Sequence, residues 1–131
     1  MPYLRPPLFV RNVFNPIAMR FGLGGSEALE VTRRRSGGVQ RVPVIPVTVE
    51  GVDYLVCPRG ETQWVRNLRA AGRCRVGRHG RERDYTAVEV PVAERGPISV
   101  AYKAKAGRAV KSLYERLPDD KDHPVFRLTP A

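Results

Sequence analysis

The spacing of apolar residues changes along the chain from a helical period to a strand period. Residues 8–21 carry apolar side chains at helical spacing, which predicts an amphipathic N-terminal helix with its lead-in over residues 1–25. From residue 27 the period becomes two, as in EALEVTRRR, and SGG at 36–38 is a turn signal. The run QRVPVIPVTVE then predicts a second strand. Pro43 and Pro46 indicate that this strand is at a sheet edge or is interrupted.

The second half of the chain combines both periods. After a turn at residues 50–51, VDYLVC predicts a third strand. A short helix is predicted over residues 62–71, with Thr62 as its N-cap and Gly72 as its stop. RCRVGR and RDYTAVEVPV predict a hairpin, and ISVAYKAKAGRAVKSLYERL predicts a helix that is interrupted near Gly107. HPVFRLTP predicts a last strand.

This order of elements predicts the fold class. It is α+β and mainly β, with about six short, mostly antiparallel strands, an N-terminal helix and inserted helices. The turns that join the first three strands are too short for parallel crossovers, so a small barrel is favoured over a doubly wound sheet. A length of 131 residues suits a single domain over residues 1–131.

The balance of charges narrows the class of partner. Lys and Arg number 23 against 13 Asp and Glu, for a net charge of +10, so the expected partner is anionic. Nucleic acid is not expected, because only 8% of residues are aromatic and we find no aromatic-rich strand that could stack bases. Residues 8–21 could pack on the domain or rest on an anionic membrane, and we favour packing.

The reactive residues do not form a catalytic or metal-binding motif. Cys57 and Cys74 are not part of a CxxC pair, which predicts two reduced thiols, a cytoplasmic location and no metal site. The sequence also lacks a phosphate-binding GxGxxG or GxxxxGK[ST] motif and a nucleophile–base constellation. If the protein is an enzyme, a bound cofactor therefore carries the chemistry.

Arginines near two predicted loops suggest an anion site. Residues 33–35 are all Arg and precede the first turn, Arg41 follows it, and Arg59 lies in the loop after the third strand. A three-strand antiparallel order would bring these loops together. Free backbone N–H groups would complete a phosphate site, and we expect them at Gly37, Gly38 and Gly60.

The only tryptophan, Trp64, has two interpretations. A single Trp on a helix face is usually a core residue. Arg59 and Arg66 flank it, however, and Asn67 follows one turn later, so these residues could also line a pocket for an anionic ligand that carries a ring.

Four motifs together resemble a known family. RRRSGGVQRVPV, GVDYLVCPRGETQWVRNLRAAG, AGRAV and HPVFRLTP are similar to segments of the deazaflavin-dependent nitroreductase family, over about residues 8–130. The resemblance implies a split β-barrel related to the FMN-binding split barrels, and coenzyme F420 as cofactor. It implies an F420H2-dependent reductase that transfers a hydride to a quinone, nitro compound or enone-like acceptor. The phosphodiester and glutamates of F420 suit a chain with this charge.

The resemblance also implies a set of site residues. The first turn would hold the phosphate and acidic tail, and the following strand would lie along the deazaflavin ring. The implied cofactor-binding residues are Arg34, Arg35, Ser36, Gly37, Arg41, Val42, Pro43, Val44, Cys57, Pro58, Arg59, Gly60, Trp64 and Asn67. Tyr102 and Tyr114 are candidates for the substrate side. Pro58 replaces a serine found in many members, and GETQ shortens the segment before Trp64, so these two departures affect the substrate side.

Several alternatives stay open. A relative could bind FMN or a haem-type ligand in the same barrel. A basic nucleic-acid-binding module and a cofactor or lipid carrier without turnover are the other classes. The partners expected of a reductase are the anionic cofactor and a small-molecule hydride acceptor. The protein could be a monomer or a homodimer, and it could contact a membrane through residues 8–21.

Overall fold

A computed structural model describes residues 26–78 and 80–131, which form one curled antiparallel sheet and three helices. The predicted N-terminal helix over residues 8–21 lies outside the described residues. The strands are β1 (Glu27–Thr32), β2 (Val39–Val44), β3 (Val47–Val49), β4 (Val52–Val56), β5 (Arg73–Gly77), β6 (Arg83–Glu89) and β7 (Val125–Pro130). The helices are α1 (Gln63–Ala71), α2 (Gly96–Ala106) and α3 (Arg108–Arg116).

The sheet runs in the order β2-β1-β5-β6-β7-β4-β3, and every pair of neighbours is antiparallel. This confirms the mainly-β, antiparallel prediction. The second predicted strand is divided, because β2 ends at Val44 and β3 begins at Val47. Pro46 lies in this gap and has no backbone N–H for a ladder. The structure therefore has seven described strands rather than about six.

The division after β2 also changes the topology. β2 and β3 lie at opposite edges of the sheet, and β4 pairs with β3 and β7. Both predicted pairings of consecutive strands occur, β1 with β2 and β3 with β4, but they lie at opposite edges of the sheet instead of forming one continuous three-strand unit. The short link at residues 45–46 takes the chain from one edge of the curled sheet to the other.

The two faces of the sheet bury separate apolar clusters. In β4, Leu55 belongs to the cluster that contains helix α1, whereas its neighbour Val56 packs with helices α2 and α3. Val125 and Phe126 of β7 are divided between the clusters in the same way. Because successive strand residues point to opposite faces, α1 covers one face of the sheet, and α2 and α3 cover the other.

Helix α1 begins and ends where the sequence predicts. Thr62 is its N-cap, and the Thr62 hydroxyl accepts a hydrogen bond from the Val65 N–H at 3.5 Å. Gly72 ends the helix with φ of 70° and donates its N–H to the Leu68 carbonyl at 2.8 Å. Gly107 separates α2 from α3, which confirms the predicted interruption.

We predict that Gly72→Ala lowers the free energy of unfolding by about 1 kcal/mol. A Cβ at this position meets nothing within 4 Å, so the cost comes only from the left-handed backbone. Gly72→Asn is the matched control and should lose less, because Asn adopts this conformation more readily. Urea denaturation measures both variants. Equal losses for Ala and Asn would show that backbone conformation is not the cause.

Candidate functional site

The arginine turn, residues 33–38, joins β1 to β2 and is closed by its own hydrogen bonds. The Arg33 N–H donates to the Gly38 carbonyl at 2.7 Å, and the Gly37 N–H donates to the Arg33 carbonyl at 3.1 Å. The Gly38 N–H donates to the Ser36 hydroxyl at 3.2 Å. The expectation of free N–H groups at Gly37 and Gly38 is therefore wrong. The turn presents arginine side chains rather than backbone donors.

Asn67 fixes the arginine turn on helix α1. Its side-chain oxygen accepts from the Arg34 N–H at 3.1 Å and from Arg34 Nη1 at 2.8 Å. Its side-chain nitrogen donates to Gln40 Oε1 at 2.7 Å. Arg34 Nη1 also donates to Gln63 Oε1 at 3.0 Å. Asn67 is only 3% exposed, so this amide links β2, the turn and the helix from a buried position.

The arginine turn and one side of α1 line a solvent-open cavity of about 420 Å³. Its lining contains five of the predicted cofactor-binding residues, namely Arg34, Arg35, Ser36, Gly37 and Asn67. Arg33, Arg34 and Arg35 are all exposed. An open concave surface with clustered guanidinium groups suits a ligand with phosphates or carboxylates.

The second predicted segment is the loop between β4 and α1. Cys57 is buried in the core, and its thiol contacts the Thr62 hydroxyl at 3.4 Å. Pro58 and Arg59 are half-buried, and Gly60 is buried with φ of 88°. The 58–60 loop, made of these last three residues, therefore lies directly before the first turn of α1.

Both basic segments adjoin helix α1: the arginine turn bonds to it, and the 58–60 loop precedes it in the chain. Arg34 bonds to Gln63, the first residue of α1, and Arg59 lies four residues before Gln63. The arginine turn contacts α1 from Gln63 to Ala71, whereas the 58–60 loop precedes the first turn of the helix. Helix α1 is therefore the element that assembles the candidate site.

Arg41 lies apart from this cluster. Gln40 bonds to Asn67 on the α1 face of the sheet, and the next residue of a strand points to the other face. Arg41 bonds there to Glu82 at 2.8 Å and lies 3.5 Å from Glu30, its partner in the β1–β2 register. Two carboxylates therefore balance its charge on the face away from the arginine turn.

The apolar members of the predicted set contribute to the core. Val44 is buried, Val42 packs against the same cluster, and Pro43 is half-buried. Trp64 is 8% exposed, and its ring centroid lies 6.2 Å from that of Phe126. Little of the indole can reach a ligand, so Trp64 fits the core interpretation better than the pocket wall.

The two candidate tyrosines lie on the opposite face of the sheet, in the cluster with α2 and α3. Both are buried, and their ring centroids are 6.4 Å apart. Burial raises the pKa of the Tyr102 phenol, and the nearby positive charge of Arg59 partly opposes that rise. Burial likewise raises the pKa of Tyr114, with the Ser99 hydroxyl opposing it. Tyr102 is thus the tyrosine within electrostatic reach of the 58–60 loop.

Two polar residues of the cluster, Gln40 and Gln63, are not among the site residues expected from the sequence. The side-chain oxygen of Gln40 accepts a hydrogen bond from Asn67, and that of Gln63 accepts one from Arg34. The alternation of β2 contained a signal for Gln40, since it shares a face with Val42 and Val44. For Gln63 the sequence offers no comparable signal, because it is an exposed residue in the first turn of a helix.

The curled antiparallel sheet, with a basic cavity beside a helix on one face, is the architecture of a small split-barrel protein. The profile of the F420H2-dependent quinone reductase family matches residues 9–114, and the chain belongs to that family. This confirms the resemblance to F420-dependent oxidoreductases and the expectation of F420 as cofactor.

Solved structures share the fold at low identity. A protein of unknown function from Agrobacterium tumefaciens superposes with a TM-score of 0.63 at 19% identity, over 99% of this chain and 57% of its own length. The heme storage protein HutZ of Vibrio cholerae gives 0.57 at 14%, over 88% of both chains. A heme-binding protein of Mycobacterium smegmatis gives 0.58 at 12%, over 97% of this chain and 53% of its own. The chain thus spans little more than half of two of these proteins. No curated protein matches the sequence significantly.

Two further properties concern only residues 26–78 and 80–131. Within them, no helix combines the length and apolar character that crossing a membrane requires. The same residues contain no group of three His, Cys, Asp or Glu side chains that could hold a metal ion.

We predict that the free energy of unfolding falls as the pH rises from about 9 to about 11. Burial raises the pKa of Cys57 from 9.0 to about 11, and that of Cys74 to about 12. Unfolding therefore releases protons in this window, and each thiol contributes up to about 1.4 kcal/mol per pH unit. The stabilisation is complete below pH 9 and is lost above it.

Urea denaturation under reducing conditions measures this dependence. Cys74→Ala is the informative variant, because it should flatten the decline while Cys57 still contributes. A decline of the same slope in wild type and Cys74→Ala would contradict the assignment to this thiol.

Proposed function

We propose that the protein is an F420H2-dependent reductase that transfers a hydride to a quinone, nitro compound or enone-like acceptor. The observation that carries this proposal is the arginine turn, which Asn67 holds against helix α1, the helix that follows the 58–60 loop. F420 carries a phosphodiester and several carboxylates, and the residues present fit such a group because they form an open, arginine-lined cavity. Membership of the F420H2-dependent quinone reductase family supports the same chemistry.

Each basic segment has its own role in this proposal. Arg34 and Arg35 bind the acidic tail, because they are exposed on a turn whose backbone is fixed. Two of the five N–H donors of Arg34 bond to Gln63 and Asn67, which orients the guanidinium before a ligand arrives. Arg59 and Gly60 bind the phosphate end from the 58–60 loop.

Tyr102 acts on the acceptor side. Reduced F420 supplies the hydride when it is bound, and negative charge then develops on an acceptor oxygen. Burial raises the pKa of Tyr102, so its phenol stays protonated and stabilises that oxygen by donating a hydrogen bond rather than by giving up its proton. Tyr102 is 3% exposed and packs with Ile98 and Tyr114 on the face of α2 and α3, so the acceptor has to approach its phenol from the side of the 58–60 loop, where Arg59 lies within electrostatic reach.

The heme-binding neighbours make haem the rival ligand to test. His123 is the one histidine among residues 26–78 and 80–131, and both of its ring nitrogens face backbone carbonyls. It is also fully buried, as are the sulfur atoms of Cys57 and Cys74 in the core. None of these three side chains is placed to ligate a haem iron, which favours the deazaflavin over haem.

Location and assembly complete the proposal. The two free, buried cysteines suit a reducing cytoplasm. A monomer or a homodimer agrees with the described surface, and a membrane contact through residues 8–21 would involve residues outside the described part.

We predict that Arg34→Ala and Arg59→Ala each raise the dissociation constant of F420 about tenfold, because each removes a charge-assisted contact to the anionic coenzyme. Isothermal titration of the wild type and both variants measures this. Arg108→Ala is the control, since Arg108 is, like Arg34, an exposed arginine and lies on α3. Unchanged affinity in Arg34→Ala and Arg59→Ala, or an equal loss in Arg108→Ala, would refute the proposed binding of F420 by these two arginines.

We predict that Tyr102→Phe lowers kcat for a quinone about tenfold, while the affinity for F420 changes less than about twofold. The variant removes only the hydroxyl that donates to the acceptor. Tyr85→Phe serves as the control, because Tyr85 is a half-buried tyrosine of β6. The rate of F420H2 oxidation under anaerobic conditions is the measurement. A wild type without turnover of any quinone, nitro or enone acceptor would refute the activity, and full activity in Tyr102→Phe would refute this role.

A further inference from the structure

We propose that His123 is a positioning residue that sets the orientation of the 58–60 loop by holding the carbonyl of Cys57. The proposal rests on the proposed function, which places F420 against this loop. It adds a residue that lies far from the loop in sequence and does not itself touch the ligand.

The imidazole of His123 bridges two parts of the fold. It is 0% exposed, and its Nδ1 lies 3.2 Å from the Cys57 carbonyl oxygen at the end of β4. Its Nε2 contacts the Leu117 carbonyl oxygen, directly after helix α3. The ring stacks on Tyr114 with centroids 4.0 Å apart, so the imidazole cannot turn away from either carbonyl without breaking this packing.

Both backbone polar groups of Cys57 contact the segment that contains His123. Its N–H donates to the Pro124 carbonyl at 2.9 Å, and its carbonyl oxygen faces His123 Nδ1 at 3.2 Å, which donates to it when Nδ1 carries the ring proton. That carbonyl belongs to the planar peptide that joins Cys57 to Pro58. The ring of Pro58 fixes the next φ angle, so the orientation of this one peptide determines the direction in which the loop leaves the strand.

A buried arginine holds the backbone of His123 in turn. Arg95 is 5% exposed, and its Nη1 donates to the carbonyls of Asp120 at 3.2 Å and His123 at 3.4 Å. Its Nε donates to the Val90 carbonyl at 2.9 Å. The segment that carries His123 is therefore anchored to the sheet before the imidazole reaches Cys57.

The same network reaches the other end of the loop. Arg95 Nη2 lies 3.3 Å from Glu89, and Glu89 accepts from Arg69 Nε at 2.7 Å. Arg69 Nη1 then pairs with Glu61 at 2.9 Å. A continuous chain of polar contacts thus runs from Cys57 to Glu61, the residues on either side of the 58–60 loop. The buried end of this chain of contacts is the one between His123 and the Cys57 carbonyl. A single substitution of His123 can therefore disconnect the network from the loop.

Two substitutions separate positioning from general stability. The amide nitrogen of Asn is bonded to Cγ, as Nδ1 is in His, so His123→Asn can still donate to the Cys57 carbonyl. The amide nitrogen of Gln is one bond further out, like Nε2, so His123→Gln can reach the Leu117 carbonyl instead. Both variants lose the ring that stacks on Tyr114, and we expect similar losses of stability.

The experiment compares full-length wild type, His123→Asn and His123→Gln by amide hydrogen exchange over residues 58–62 and by F420 titration. We expect exchange to be faster in Gln than in Asn, and F420 to bind about tenfold more weakly to Gln while Asn stays within about threefold of wild type. Urea denaturation checks that the two variants are matched in stability.

The outcomes are distinguishable from those of the proposed function. Equal exchange over residues 58–62 in the two variants overturns the positioning role, whether or not F420 binds. Faster exchange in Gln than in Asn, with F420 binding to none of the proteins, supports the role of His123 in the loop and refutes the proposed function. Losses of affinity that follow stability rather than the position of the donor also overturn the role.

Discussion

The packing of helix α1 against the sheet is the interaction on which the candidate site depends. Val65 and Leu68 are completely buried in the cluster with Leu55 and Phe126, so the helix cannot shift along the sheet without opening the core. Asn67 lies on the same helix and holds the arginine turn, while the 58–60 loop leads into its first turn. The apolar core therefore determines the separation of two basic segments that sequence distance alone would not bring together.

A network of buried polar contacts around Arg95 and His123 fixes the backbone near the 58–60 loop, as the apolar core fixes helix α1. Arg95 brings a charge into the interior, and carbonyl acceptors together with Glu89 compensate its desolvation. Such an arrangement adds little net stability, but it specifies one orientation of the segments it joins. In this protein those segments are the C-terminal approach to β7 and the strand end at Cys57. The network thereby fixes the backbone around the 58–60 loop, and if this loop binds F420 as we propose, less entropy is lost on binding.

The ends of the helices could be predicted from the sequence more accurately than the contacts between segments that are distant in the chain. The ends of α1 at Thr62 and Gly72 and the interruption at Gly107 follow from capping and backbone preferences of single residues, and all three were found. The position of the β1–β2 and β3–β4 pairs at opposite edges of the sheet was not predicted, because it depends on the direction of the link at Ile45 and Pro46, which no local preference determines. The separation of Arg41 from Arg34 could have been foreseen from the alternation of β2. The polar partners of Asn67 could not, because they come from packing between elements.

The most direct test of the account is a map of amide hydrogen exchange in the full chain with and without saturating F420. We expect that protection on binding concentrates in two segments, residues 33–38 and 58–67, while the exposed face of α3 exchanges at an unchanged rate. The two segments should gain protection together, since both contact the same ligand. Protection confined to other parts of the chain, or the absence of any ligand-induced change, would contradict the placement of the cofactor at helix α1.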